Sequence, residues 1–123
     1  MRTNLEFASA AFPPRSEDEQ VNEGRYGKAL ADHLAAQLPR HGFDVESPDP
    51  EDWGWRLDLA DNSGWIGCGN YEEFEDGFLI FIEQRRSWFR RAKLDVEALA
   101  DALEKIVRSA GATRIRWWGP DER

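Results

Sequence analysis

The chain has 123 residues, 41% of them hydrophobic, and carries a formal net charge of −8. That length suits one domain whose core is large enough to stand without a metal, and the single Cys excludes an internal disulfide. No apolar run approaches the ~20 residues of a bilayer-spanning helix and no signal-peptide pattern opens the chain, so the expectation is a cytoplasmic domain with no membrane partner.

Leu5 and Phe7 alternate with Asn4 and Glu6 and read as a first strand, ended by Phe12-Pro13-Pro14. Asn22 can cap a helix running to about Leu38, with Tyr26, Leu30, Leu34 and Leu38 forming an i, i+4 stripe. Gly24 and Gly27 in its first turns imply either a close approach of other backbone or a later start. Phe43 to Glu46 reads as a short strand, closed by Ser47-Pro48-Asp49-Pro50. Trp53, Trp55, Leu57 and Leu59 alternate with Gly54, Arg56 and Asp58, the pattern of an amphipathic strand. Asp61-Asn62-Ser63-Gly64 has hairpin-turn chemistry, and the return strand, Trp65 to Tyr71, puts Gly67 and Gly69 on one face and Ile66 and Cys68 on the other.

Phe78 to Ile82 is apolar at every position, as expected of a strand in the middle of a covered sheet. Asp95 caps a second helix to about Ser109, which Gly111 terminates, and Thr113 to Trp118 is a last strand. The order β-α-β-β-β-β-α-β predicts one α+β domain over residues 1–123. Its sheet is mainly antiparallel, with both helices on one face and the other face left to solvent or a partner.

Charge and tryptophan are the two unusual resources of this composition. Residues 1–84 hold 6 Lys/Arg against 18 Asp/Glu, whereas residues 85–93 hold five bases and no acid. The acidic field maintains solubility, disfavours long nucleic acid and speeds encounter with a basic partner. Six tryptophans is several times the usual share. In Glu51-Asp52-Trp53-Gly54-Trp55 the two indoles sit at i and i+2, on one side of a strand. They serve either as core, with Gly67 or Gly69 leaving room for a flat ring, or as an aromatic floor rimmed by carboxylates.

The interleaved bases and aromatics from Arg85 to Lys93 suit either an anion or ion pairing with the Glu72–Asp76 loop. The acidic runs lack the spacing of a calcium loop, no Cys/His pair has zinc spacing, and no nucleophile elbow, P-loop or dinucleotide fingerprint occurs. No catalytic residue, metal ligand or cofactor is therefore assigned.

The segments Asn22-Glu23-Gly24-Arg25-Tyr26-Gly27-Lys28-Ala29-Leu30 and Glu51-Asp52-Trp53-Gly54-Trp55 resemble small bacterial proteins of unassigned function. The resemblance implies a bacterial or phage origin and carries no catalytic residues.

The reading that follows is a non-catalytic binding protein of the inhibitor, antitoxin or immunity type, acting on a protein partner of basic character. Its anchors would be Trp53, Trp55, Trp65 and Tyr71, with Glu51, Asp52, Glu72 and Glu73 supplying the field. The alternative is a small-molecule or nucleotide-binding domain, an enzyme included, using an Arg/Trp-lined site of Arg25, Tyr26, Trp55, Arg85 and Arg86 around an anionic group. A self-associating homodimer is a third reading.

Overall fold

A computed structural model of the chain describes residues 2–15, 26–71, 75–85 and 93–120. Its strands are β1 (Asn4–Ala8), β2 (Asp49–Glu51), β3 (Gly54–Asp58), β4 (Gly64–Asn70), β5 (Gly77–Gln84) and β6 (Thr113–Trp118); its α-helices are α1 (Lys28–Gln37), which a 3-10 turn at Leu38–His41 follows, and α2 (Val96–Ser109). All six strands pair antiparallel in the order β2-β3-β4-β5-β1-β6, so the α+β architecture and the element order follow the expectation.

One face of this sheet is the core. Leu5 and Phe7 of β1, Trp55 and Leu57 of β3, Ile66 and Cys68 of β4, and Phe78, Ile80 and Ile82 of β5 are all buried there. Leu30 and Leu34 of α1 and Leu99, Leu103, Ile106 and Val107 of α2 complete the same cluster, which puts both helices on that side. Phe78 is a hub, with Phe7, Phe12 and Tyr26 ring centroids all within 5.8 Å.

The local chemistry of α2 and of the β3–β4 turn behaves as read. Asp95 accepts from the Ala98 N–H at 3.0 Å, an N-cap, and Gly111 leaves α2 at φ 79°. Asn62 takes φ 62° and the Leu59 N–H closes the hairpin on the Gly64 carbonyl at 3.0 Å. The sheet edges are protected in two ways: β2 is three residues long and contains Pro50, and β6 carries arginines and a register shift opposite Glu6 and Ala8.

Two elements differ in their bounds from the sequence pattern. Helix α1 starts at Lys28, the later start that the glycines allowed, and the expected Asn22 cap lies outside the described residues. The backbone just before it has another use: the Asn70 N–H donates to the Tyr26 carbonyl at 2.8 Å, and the Tyr26 N–H to Asn70 Oδ1 at 3.1 Å. Residues 43–46 contribute only an isolated bridge, Val45 to Leu59, and the edge strand is instead Asp49–Glu51, where Pro50 is tolerated because no further strand needs its missing donor. Among the described residues no helix is long and apolar enough to cross a membrane.

The last strand is tied to α2 by Trp117, whose Nε1–H donates to Glu104 Oε1 at 2.7 Å while Arg108 Nε donates to Oε2 at 3.1 Å. These donors, the indole first, hold the Glu104 carboxyl below the usual carboxylate range. The folded pKa is depressed, so the contribution is present above the ordinary carboxylate pKa and fades as pH falls through the folded one. Trp117→Phe is expected to cost about 2 kcal/mol at neutral pH. Urea unfolding should show that cost shrinking at pH 3; an equal cost at both pH values would refute the charge-assisted bond.

Candidate functional site

The face turned away from the helices has no second layer among the described elements, and its composition follows from strand register. Arg56, Gly67, Phe81, Asn4 and Trp118 lie directly across from one another on β3, β4, β5, β1 and β6. A second row runs Asp58, Trp65, Glu83, and a third runs Gly69, Leu79, Glu6, Arg116. Directly opposed residues share a face, so these rows bring apolar rings and charged groups onto one surface.

Gly67 makes room for Phe81: a Cβ at residue 67 would lie 2.2 Å from the Phe81 ring. The ring that uses the glycine is thus a phenyl from β5 and not an indole. Trp65 stands edge-on to it at 5.4 Å, and Trp53 closes the group at 5.1 Å from Phe81 and 5.8 Å from Trp65. With Leu79 and Tyr71 these rings line an open trough of about 490 Å³. Trp53 is the one large hydrophobic residue exposed among the described residues, at 38%.

Trp53 reaches this position from the β2–β3 turn. Glu51 pairs with Gly54, leaving Asp52 and Trp53 as a two-residue loop. Strand alternation therefore begins at Gly54, and the expectation that Trp53 and Trp55 share a side is corrected. Trp55 is buried against α1, with Lys28 Nζ 5.4 Å from its ring centroid, and does not belong to the exposed group.

The charges of this face divide into two sets. Arg56 lies over Trp65 at 4.2 Å and donates from Nε and Nη2 to Asp58 Oδ1 at 3.1 and 2.9 Å, and Arg85 Nη2 lies 3.8 Å from the same carboxylate. Glu6 is buried and pairs with Arg116 at 3.1 Å. Among the described residues, the carboxylates beside the rings that form no ion pair are Asp49, opposite Arg56, Glu51, opposite Gly54, and Glu83, opposite Trp65.

Of the expected anchors and acids, Trp53, Trp65 and Tyr71 line the trough, Glu51 and Asp52 flank it in β2 and its turn, and Glu72 and Glu73 lie outside the described residues. The alternative anion site is not gathered by its described members. Tyr26 packs edge-on against Phe78 on the helix face, whereas Arg85 lies beside Asp58 on the open one. Arg25 and Arg86 lie outside the described residues. Cys68 is buried, and burial lowers the His33 pKa where that ring sits 5.3 Å from Phe12. No group of three or more His, Cys, Asp or Glu among the described residues is placed to hold a metal ion.

Leu79, Phe81 and Glu83 belong to the surface but were not singled out from sequence, and Asp49 was read only as part of an acidic cluster with Glu51 and Asp52. One signal could have found the first two. A strand apolar on both faces, in a sheet with only two helices for cover, must present one apolar face elsewhere. No family model matches the chain, and no curated protein or solved structure matches it.

Proposed function

We propose that this chain is a non-catalytic binding domain that acts by occupying a protein partner through its open sheet face. The observation that carries the reading is the contiguous ring group of Trp53, Trp65 and Phe81 on that face, with Trp53 exposed and carboxylates beside it lacking ion pairs to described residues. Aromatic anchors at the centre of a contact supply most of its energy, and a charged rim sets encounter rate and partner choice. A partner of basic character fits both features. An inhibitor, antitoxin or immunity protein of the proposed kind needs no more chemistry than this.

The test is partner capture from a lysate of the source cells by the wild-type chain, followed by calorimetry on the purified pair. Trp53→Ala and Trp65→Ala are each expected to weaken the complex by at least about 2 kcal/mol, roughly thirty-fold. Lys105→Glu, on the exposed side of α2, should leave affinity unchanged. Full affinity in both tryptophan variants would remove the open face from the interaction.

A small apolar ligand is the second reading, favoured by the trough volume, which falls within the roughly 300–1,000 Å³ of ligand pockets. It would raise the melting temperature in a thermal-shift panel of planar apolar compounds, and that rise would be lost in Phe81→Ala.

A further inference from the structure

We infer that the exposed indole of Trp53 is the seat for an arginine side chain of the partner, an assignment that rests on the protein-binding reading of this face. Four of the five tryptophans among the described residues already hold a cation of the chain itself. Arg2 lies 5.3 Å from the Trp117 ring centroid, Lys28 5.4 Å from Trp55, Arg56 4.2 Å from Trp65 and Arg116 5.2 Å from Trp118. Trp53 is the exception among them. Its ring contacts are Trp65 and Phe81, which hold it in place, and it is the most exposed large apolar side chain described.

The neighbouring indole shows the geometry that a visiting cation would repeat. The Arg56 guanidinium lies over Trp65 while its in-plane N–H groups donate to Asp58. A planar guanidinium can stack on an indole and keep its donors directed outward at a carboxylate, which a tetrahedral ammonium does less well. Around Trp53 the carboxylates suited to that second role are Glu51, two residues before it in the β2 hairpin, and Glu83, across from Trp65 on the same face. Neither has an ion pair with a described residue. Charge complementarity therefore selects a basic partner segment, and ring geometry selects arginine within it.

The experiment titrates the full chain with a tetra-arginine and a tetra-lysine peptide at low salt, following the indole N–H signals by NMR. The expected result is displacement of the Trp53 and Trp65 signals, with tetra-arginine binding at least about fivefold tighter than tetra-lysine. Trp53→Leu should abolish that preference, and Trp53→Phe, which keeps an aromatic face, should retain part of it. Equal affinity for the two peptides, or an unchanged preference in Trp53→Leu, would overturn the assignment. If the natural partner is still lost on Trp65→Ala in that case, the open face remains its contact surface and only the arginine seat falls.

Discussion

Gly54→Ala is expected to destabilise the fold by about 3 kcal/mol or more, a large part of the 5–15 kcal/mol typical of a domain this size. A Cβ at residue 54 would lie 2.3 Å from the Cys68 carbonyl oxygen and 3.3 Å from the Gly69 Cα. Neither atom belongs to a flexible side chain. Cys68 sits in β4 between two ladders, paired with Trp55 on one side and Ile80 on the other, so its carbonyl cannot retreat without distorting three strands. Residue 54 also takes φ 152°, a conformation that L side chains rarely adopt. Urea unfolding checks the figure, and a loss under 1 kcal/mol would mean that β3 can slide away from β4. The same glycine is where the chain passes from the exposed Trp53 to the buried Trp55. Any shift that relieved the clash should therefore show in the environment of both indoles.

The architecture was readable because its signals were local and redundant. Asp95 and Gly111 bracket α2, Asp61 to Gly64 turns the central hairpin, and alternation from Trp55 to Leu59 sets one face of β3. Each signal is satisfied by backbone within a few residues. The start of α1 was less readable because its competitor is distant in sequence: Asn70 takes both the carbonyl and the N–H of Tyr26. The edge strand was misplaced for a related reason. A proline argues against a strand only where both edges are paired, and Pro50 lies at the rim of the sheet.

The membership of the open aromatic face was less readable. Trp53 and Trp65 were recognisable as aromatics with acidic neighbours, yet spacing alone assigned Trp55 to the same side. That assignment assumed strand alternation through residue 53, which the two-residue turn breaks. Phe81 was missed because its strand looked like pure core. Only the register, which sets Gly67 opposite Phe81 and Trp65 opposite Glu83, assembles the surface, and register depends on long-range pairing.

Phe78 and Phe81 separate folding from the proposed binding within one strand. They lie three residues apart on β5 and face opposite sides of the sheet. Phe78 is 1% exposed and in ring contact with Phe7, Phe12 and Tyr26, so Phe78→Ala removes the centre of the core and is expected to cost about 3–5 kcal/mol. Phe81 is half-buried, and its contacts are Trp53 and Trp65 above a glycine that leaves the ring no side chain beneath it. Phe81→Ala should cost about 1–2 kcal/mol of stability, less than Phe78→Ala, because the ring is only partly buried and the loosened indoles can settle towards Gly67. Its effect on partner affinity should be far larger, at least about thirty-fold, since Trp53 and Trp65 lose the ring that fixes their orientation. Chemical denaturation and calorimetry on the same two variants read both quantities. If Phe81→Ala instead lost stability on the scale of Phe78→Ala and kept full partner affinity, the open-face rings would be a second core and not a contact surface.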